Sequence, residues 1–353
     1  MKNLNIHTTT SNDFEIMTIE AKYQLSVRQQ IDHQENTLLA IYLYNKSGDY
    51  TLSHYLVNKE GEMSSLPVNK GILPTYFKSP ENETWVSQIE FQNGKEVEQS
   101  LPIIANSSIK LPKTGADLKG DYVGSNTHSS FFLNIDIFSE KKQDILIRFD
   151  FENKTIKKKQ KIKIDFPKWN KIQINNNEIQ LFSEFENSFL HRKISDNGEI
   201  TARRTLTLKK FTLFEAINLD FENTTQIIGI DQENQIILYC FNKNGDTTET
   251  TLFQSKQEIY ALWSPVKIAD KKWIFRFTQE NGNGWFVLDN EAITAFYIND
   301  EESYVDQISG EKIQLLQNNL VISGLSKNEE NSYTLSFYHR DIKNKIWLVT
   351  QKN

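Results

Sequence analysis

The sequence predicts an all-β fold assembled from tandem units, and three observations carry that expectation. Short blocks rich in β-branched and aromatic residues recur along nearly the whole chain, helical periodicity is almost absent, and polar turns bound the blocks at a near-constant spacing. Composition supports an ordered protein. The chain has 353 residues, is 38% hydrophobic and 12% aromatic, and carries 6 Trp, 13 Tyr and 22 Phe, which supplies a large core and argues against disorder.

The strand-like segments follow in order. LLAIYLYN (38–45), YTLSHYLV (50–57), WVSQIEF (85–91), FFLNIDIF (131–138) and DILIRFDF (144–151) lie in the first half. IQLFSEF (179–185), QIIGID (226–231), IILYCFN (236–242), WIFRFTQ (273–279), WFVLDN (285–290), LVISG (320–324) and YTLSFYH (333–339) complete the set. Clusters of Asn, Gly, Asp, Lys and Glu separate them, as hairpin turns require. One segment, LKKFTLFEAINL (208–219), also reads as a short helix.

Turns joining strong apolar strands centre near Ser47, Asn93, Lys141, Glu186, Glu233, Gly282 and Glu329. Their separations are 46, 48, 45, 47, 49 and 47 residues, a mean of 47. Trp85 and Trp273 each open the strand before such a turn and lie 188 residues apart, four times that mean. The middle strands are apolar on both faces, as in Ile236, Leu238 and Cys240 against Ile237, Tyr239 and Phe241. The strands that follow are more polar: TIKKKQKIKI (155–164), TARRTL (201–206) and TTETTLF (247–253). A middle strand covered on both sides and a half-wetted outer strand account for that contrast.

Units of about 45 residues holding four strands mark propeller blades, and in spacing and pattern residues 14–351 resemble the β-propeller superfamily. The resemblance implies a seven-bladed β-propeller in one domain, 1–353, with blades near 14–66, 71–111, 118–164, 170–207, 211–253, 257–297 and 304–351. A six-bladed ring with an insertion near 95–124, the least regular unit, is the alternative, and a pair of β-sandwiches comes third. FEIMTIE (14–20) is expected to pair with IWLVTQ (346–351) and so join the first and last units. The chain lacks the Gly-His and Trp-Asp pairs of the WD40 type, the Gly-Gly doublets of the kelch type and the Asp-box of sialidases.

Charge and targeting narrow the function. The net charge of −6 argues against a general nucleic-acid binder. A single cysteine, Cys240, excludes an intramolecular disulfide and a multi-Cys metal site. No signal-peptide core and no run of about 18 apolar residues is present, so a cytoplasmic protein without a membrane span is expected. Five Asn-x-Ser/Thr sequons, at Asn45, Asn82, Asn106, Asn153 and Asn223, read as chance in an Asn-rich chain. The ratio of 33 Lys to 7 Arg matches the codon usage of an AT-rich bacterial genome.

Catalytic motifs are not found. G-x-S-x-G, the P-loop, G-x-G-x-x-G, H-E-x-x-H and the EF-hand loop are absent from the sequence, and the six histidines (His7, His33, His54, His128, His191, His339) never fall at metal-ligand spacing. No catalytic residue, metal site or cofactor is expected. Alternating Lys157, Lys159, Lys161 and Lys163 share one strand face; protection of an exposed edge explains them better than an anionic partner, since the chain is acidic. His191, Arg192, Arg203 and Arg204 bring three arginines onto adjacent strands, suited to carboxylate or phosphate recognition, or to surface pairing with Glu184, Glu186 and Glu199. Asp300, Glu301 and Glu302 form an acidic loop before Tyr304, read as solvated and not as a glycosidase pair. Trp273 and Trp285 are expected to pack between units, whereas Trp263, in ALWSP, is the better surface candidate. Cys240 reads as a small core residue.

Two classes of function compete. One is a non-catalytic protein-binding module or scaffold whose candidate contacts are Arg192, Arg203, Arg204 and Trp263, with an immunity-type, toxin-neutralising role as a variant. The other is a propeller glycosidase or lyase with tunnel carboxylates. Whether the protein is an enzyme stays open, with the non-catalytic reading favoured; the expected partner is another protein, with no nucleic acid and no membrane.

Overall fold

A computed structural model describes residues 4–11, 14–58, 60–66, 72–93, 95–103, 121–134, 144–152, 155–164, 170–175, 178–185, 188–195, 197–255, 257–263, 265–279, 282–290, 292–299, 320–328 and 331–351. Among them all regular structure is strand. The segment that reads as a possible helix contains a strand instead. Phe214, Ala216 and Ile217 in it are buried, and it takes its hydrogen bonds from the next strand, so tertiary pairing overrides a weak local preference.

β1 (Leu4–Ser11) and β2 (Phe14–Ala21) open the chain. β3 (Leu25–His33), β4 (Asn36–Tyr44), β5 (Tyr50–Val57) and β6 (Met63–Leu66) form an antiparallel sheet in sequence order. β7 (Ile72–Lys78), β8 (Thr84–Gln92) and β9 (Lys95–Pro102) form the next. Then come β10 (Asp121–Ser125), β11 (Ser129–Asn134), β12 (Asp144–Glu152) and β13 (Thr155–Ile164). β14 (Asn170–Asn175), β15 (Glu178–Phe185), β16 (Ser188–Ile194) and β17 (Ile200–Leu206) repeat the pattern. So do β18 (Leu213–Asn218), β19 (Thr225–Ile230), β20 (Gln235–Phe241) and β21 (Thr247–Gln254). β22 (Ile259–Leu262) and β23 (Val266–Ala269) both pair with β24 (Lys272–Gln279), which continues to β25 (Gly282–Asp289) and β26 (Ala292–Asn299). β27 (Leu320–Lys327), β28 (Tyr333–His339) and β29 (Lys345–Gln351) complete a sheet of order β1-β2-β29-β28-β27.

The described strands therefore fall into seven sheets, six of them with four or five strands and one, β7–β9, with three. The three-stranded sheet adjoins the segment that the sequence marks as least regular. Phe14 to Glu20 pair with Gln351 to Lys345, the pairing expected of FEIMTIE and IWLVTQ. The unit expected at 14–66 is accordingly divided: residues 14–21 belong to the sheet of the C-terminal strands, and β3–β6 stand on their own. The turns at Ser47, Asn93 and Glu233 join second and third strands of their sheets, whereas the connection at Glu329 joins β27 to β28, first and second. The equivalent turn in that sheet is at 340–344, because residues 300–319 separate β26 from β27 and carry the spacing past one strand. The centres at Lys141, Glu186 and Glu329 themselves lie outside the described residues.

The protein packs as two compact units. One comprises residues 1–74, 104–108 and 256–353, the other 75–103 and 109–255. In the first, Ile274 and Trp285 pack on Leu335, Phe337 and Val349, while Met17 and Leu348 pack on Leu39, Ile41 and Tyr55. In the second, Phe77 and Trp85 meet Phe132 and Phe149, Phe131 and Leu146 meet Leu181, and Phe182 and Phe189 meet Phe214 and Phe241. Each apolar layer joins two successive sheets. Trp85 and Trp273 both take the second position of a second strand, and both are buried.

Six hairpin turns share one five-residue form, headed by Asn45, Asn58, Ser79, Ser195, Asp231 and Asn242. The first backbone N–H bonds the fifth carbonyl, and the fourth N–H bonds the first carbonyl. The fourth residue is left-handed: Gly48, Gly61, Asn82, Gly198, Asn234 and Gly245 all have positive φ. The side-chain oxygen of the head residue closes the loop, as where Asn242 Oδ1 accepts from Asn244 N at 2.9 Å and Asp246 N at 3.1 Å. Ser, Asp and Asn do this because their oxygen reaches backbone N–H groups two to four residues on, and Gly or Asn follows because only they adopt that φ cheaply.

Amide side chains bridge successive sheets where apolar packing stops. In the second unit Gln173 Nε2 donates to Ala216 O at 3.1 Å, and its Oε1 accepts from Leu219 N at 2.7 Å. In the first, Asn283 Nδ2 donates to Leu320 O at 2.7 Å and its Oδ1 accepts from Ile322 N at 3.1 Å. Gln30 Nε2 donates to Ser326 Oγ and Thr334 O at 2.8 and 2.7 Å, and Thr37 Oγ1 donates to Asn328 Oδ1 at 2.7 Å. Gly324 permits that approach: a Cβ there would lie 2.5 Å from Gln30 Oε1.

Deleting residues 1–20 removes two strands and buried Phe14, Ile16, Met17 and Ile19; a melt should fall by several degrees or more, and an unchanged melt would count against the pairing. Gly245 is the left-handed residue of its turn, at φ +88. A Cβ there would meet only Leu206 Cδ2, at 3.8 Å, so Gly245→Ala isolates backbone strain. It should cost about 1–2 kcal/mol in a denaturant titration, and Gly245→Asn should cost less.

Candidate functional site

The arginine-bearing strands are adjacent, as expected, but their side chains divide between two faces. Arg192 pairs with Arg203 across β16 and β17, and His191 pairs with Arg204. Alternation places Arg192 and Arg203 on one face and His191 and Arg204 on the other. Arg192 is buried and donates to Ser183 Oγ at 3.2 Å. Arg203 is exposed. Trp263 lies in the first unit and the three arginines in the second.

Arg204 clamps two sheets of the second unit. Its Nη1 donates to Asn242 O at 2.7 Å, its Nη2 to Thr225 Oγ1 at 3.1 Å, and its Nε to His191 Nδ1 at 3.1 Å. Its guanidinium lies over the Phe221 and Phe241 rings, 4.6 and 4.9 Å from their centroids. Because Nδ1 of His191 accepts, its Nε2 carries the proton and donates to Gln180 Oε1 at 2.9 Å. Burial, reinforced by the Arg204 charge, pushes the His191 pKa down to about 3, so the ring is neutral. Burial lowers Arg204 as well, opposed by Asp220 and Glu222. Nothing in the sequence spacing marks Phe221, Phe241 and Asn242 as the partners of this arginine.

Trp263 is half-exposed, at 50%. It follows β22, and its backbone N–H donates to Arg276 O at 3.0 Å. The Arg276 guanidinium lies 5.2 Å from the Trp263 ring centroid. Arg276 stands opposite Trp285 on β25, and Trp285 donates from Nε1 to Tyr333 OH at 3.0 Å. Arg276 thus issues from the face of β24 turned toward the sheet of β27–β29. Burial lowers its pKa to about 10. Tyr260, 49% exposed, is the extra residue where the β22–β24 register shifts between Ile259 and Ala261. Such bulges re-aim a side chain. The sequence signal for Arg276 is one arginine inside the apolar run WIFRFTQ.

The other candidates are placed as follows. Trp273 and Trp285 are buried. Lys157 and Lys161 are exposed on β13, the last strand of its sheet, where charge guards an edge. Cys240, read as a small core residue, is half-buried on β20 and accepts from Gln226 Nε2, its cross-strand neighbour on β19, at 3.6 Å. Asp300, Glu301 and Glu302 lie outside the described residues. Among the described residues no three His, Cys, Asp or Glu side chains are grouped to hold a metal, and no helix is long and apolar enough to cross a membrane.

His191 supplies a pH test. Its folded pKa lies below the ordinary value of 6.5, so between about pH 6.5 and pH 3 the unfolded protein binds the extra proton and stability falls on acidification. The contribution approaches about 1.4 kcal/mol per pH unit within that window. His191→Gln should flatten the melting-temperature profile between pH 6.5 and 5, where carboxylates contribute least; parallel profiles would refute the buried neutral ring.

No family model matches the sequence, and no curated protein matches it. Solved structures do match. The β-propeller domain of the Trilobed protease from Pyrococcus furiosus aligns over 93% of this chain and 96% of its own, at a TM-score of 0.55 and 10% identity. BP39L lectin from Burkholderia pseudomallei aligns over 94% and 96%, at 0.53 and 10%. A structure from a study of two prolyl endopeptidases aligns over 97% of this chain but 55% of its own, at 0.53 and 10%, so the chain spans about half the length of that enzyme. These likenesses, with the repeated antiparallel sheets, identify the fold: the chain is a divergent β-propeller.

Proposed function

We propose that the protein is a non-catalytic module that binds another protein, with Trp263 as an anchor. The observation that carries the proposal is that Trp263 is half-exposed, three residues after half-exposed Tyr260, while most other large aromatics among the described residues are buried. Leaving half of an indole in water forgoes roughly 1 kcal/mol or more of burial, which a partner can recover. Trp, Tyr and Arg are the residue types most enriched among interface anchors. Exposed Arg203 on β17 is a second candidate contact, suited to steering an acidic partner. Arg192 and Arg204 support the fold of their own unit, so within the arginine-bearing sheet Arg203 is the position at which surface charge is altered with least structural consequence.

The test is affinity recovery of a stoichiometric partner from the source organism, followed by titration of variants. Trp263→Ala should weaken binding by ~2 kcal/mol or more, roughly thirtyfold, and Arg203→Glu should slow association. Unchanged affinity for Trp263→Ala, with the fold intact, discards the anchor. Turnover of a glycoside panel that is lost on mutating Asp or Glu discards the binding-module reading.

A further inference from the structure

Arg276 differs from the other cations of its sheet. Lys267 on β23 pairs with Asp270 at 3.5 Å and lies over Trp273, and Lys272 on β24 pairs with Asp289 at 3.7 Å. Among the described residues no carboxylate, carbonyl or hydroxyl accepts from the Arg276 guanidinium, which instead faces the Trp263 indole. A partly buried guanidinium without an acceptor is costly. The indole offsets part of that cost by stacking, which satisfies the face of the group and leaves its N–H edge without a partner.

We infer that Arg276 and Trp263 form a receptor for a carboxylate, the guanidinium edge donating to both oxygens while the indole forms one wall. Charge decides for a carboxylate over a phosphate. Burial is the sole cause of the lowered Arg276 pKa, and its neighbouring lysines are already matched by Asp270 and Asp289, so the site offers one positive charge. A planar monoanion fits the fork and balances that charge; a phosphate dianion leaves one charge unbalanced. Tyr260, at the bulge of the short strand that leads into Trp263, is a second half-exposed aromatic, so a carboxylate carried on an apolar or aromatic residue is favoured. The site itself stands on this geometry. That its carboxylate belongs to a protein rests on the binding-module reading, as either an acidic side chain or a C-terminal carboxylate.

The experiment uses the full-length protein labelled with 15N at its indoles, the Trp263 signal being assigned by its loss in Trp263→Phe. N-acetylglycine is the probe for a terminal carboxylate, N-acetylglutamic acid N-methylamide for a side-chain carboxylate, and N-acetylglycinamide the neutral control. At constant ionic strength at least one carboxylate should shift the Trp263 signal saturably, with no saturable shift from the amide. Arg276→Met should weaken that binding at least tenfold without lowering the melting temperature, because it removes an unmatched cation. Should Arg276→Met fail to fold, Arg276→Lys, which keeps the charge but not the fork, should weaken binding at least fivefold. Equal shifts with the amide, full binding in either folded variant, or tighter binding of inorganic phosphate overturns the inference. Carboxylate binding without any Trp263-dependent protein partner leaves the site standing and removes the binding-module reading; a Trp263-dependent partner indifferent to Arg276→Met does the reverse.

Discussion

A sheet that is covered on both faces has nowhere to put an unsatisfied polar group, and this protein is built from such sheets. β4 and β20 are buried along most of their length on both sides. A polar side chain that enters the space between sheets is therefore favoured where it is bonded across that space, because an orphaned amide or hydroxyl costs several times what a satisfied one contributes. Gln173, Asn283, Gln30 and Thr37 meet that condition by reaching the backbone or polar side chains of the next sheet. Ionised groups meet it too. Lys171 on β14 pairs with buried Glu215 on β18.

The same constraint explains the division of labour among the arginines. Arg204 satisfies its donors on a carbonyl, a hydroxyl and a ring nitrogen, and two phenylalanine rings take up its faces. Its histidine partner has to stay neutral, since a second cation against that guanidinium would be repelled in a site with little water. Arg276 has the stacking ring but not the acceptors. A cation with a ring against its face and no acceptor at its edge is a place to seek chemistry from outside the protein.

Much of the architecture is legible because covered strands have a distinctive composition. YTLSHYLV and YTLSFYH coincide with β5 and β28, and the polar composition of 201–206 and 247–253 matches outer strands. The β1 strand, LNIHTTTS, is only weakly marked in the sequence: Leu4 and Ile6 alternate and pack on the core, but the threonine run after them carries no apolar pattern, and its place is set by β2 beside it. The shared hairpin form is written as NKSGD, NKEGE, SDNGE and NKNGD, a repeat hidden by variable spacing between copies. The site is less legible. Arg203 and Arg204 are neighbours in sequence and lie on opposite faces, and the ring beneath Arg276 arrives from a different strand, so only strand register brings Trp263 and Arg276 together.

The pairing of residues 14–20 with 345–351 also has a consequence for how the protein is made. Contacts between neighbouring hairpins close short loops and can form as synthesis proceeds, but this pairing joins segments more than 320 residues apart. Loop closure of that span comes late and slowly. FEIMTIE, with its buried phenylalanine, methionine and isoleucines, can pair early with β1 along one edge but keeps its other edge open until residues 345–351 have been made, and during that interval this edge is most exposed to strand addition from other copies.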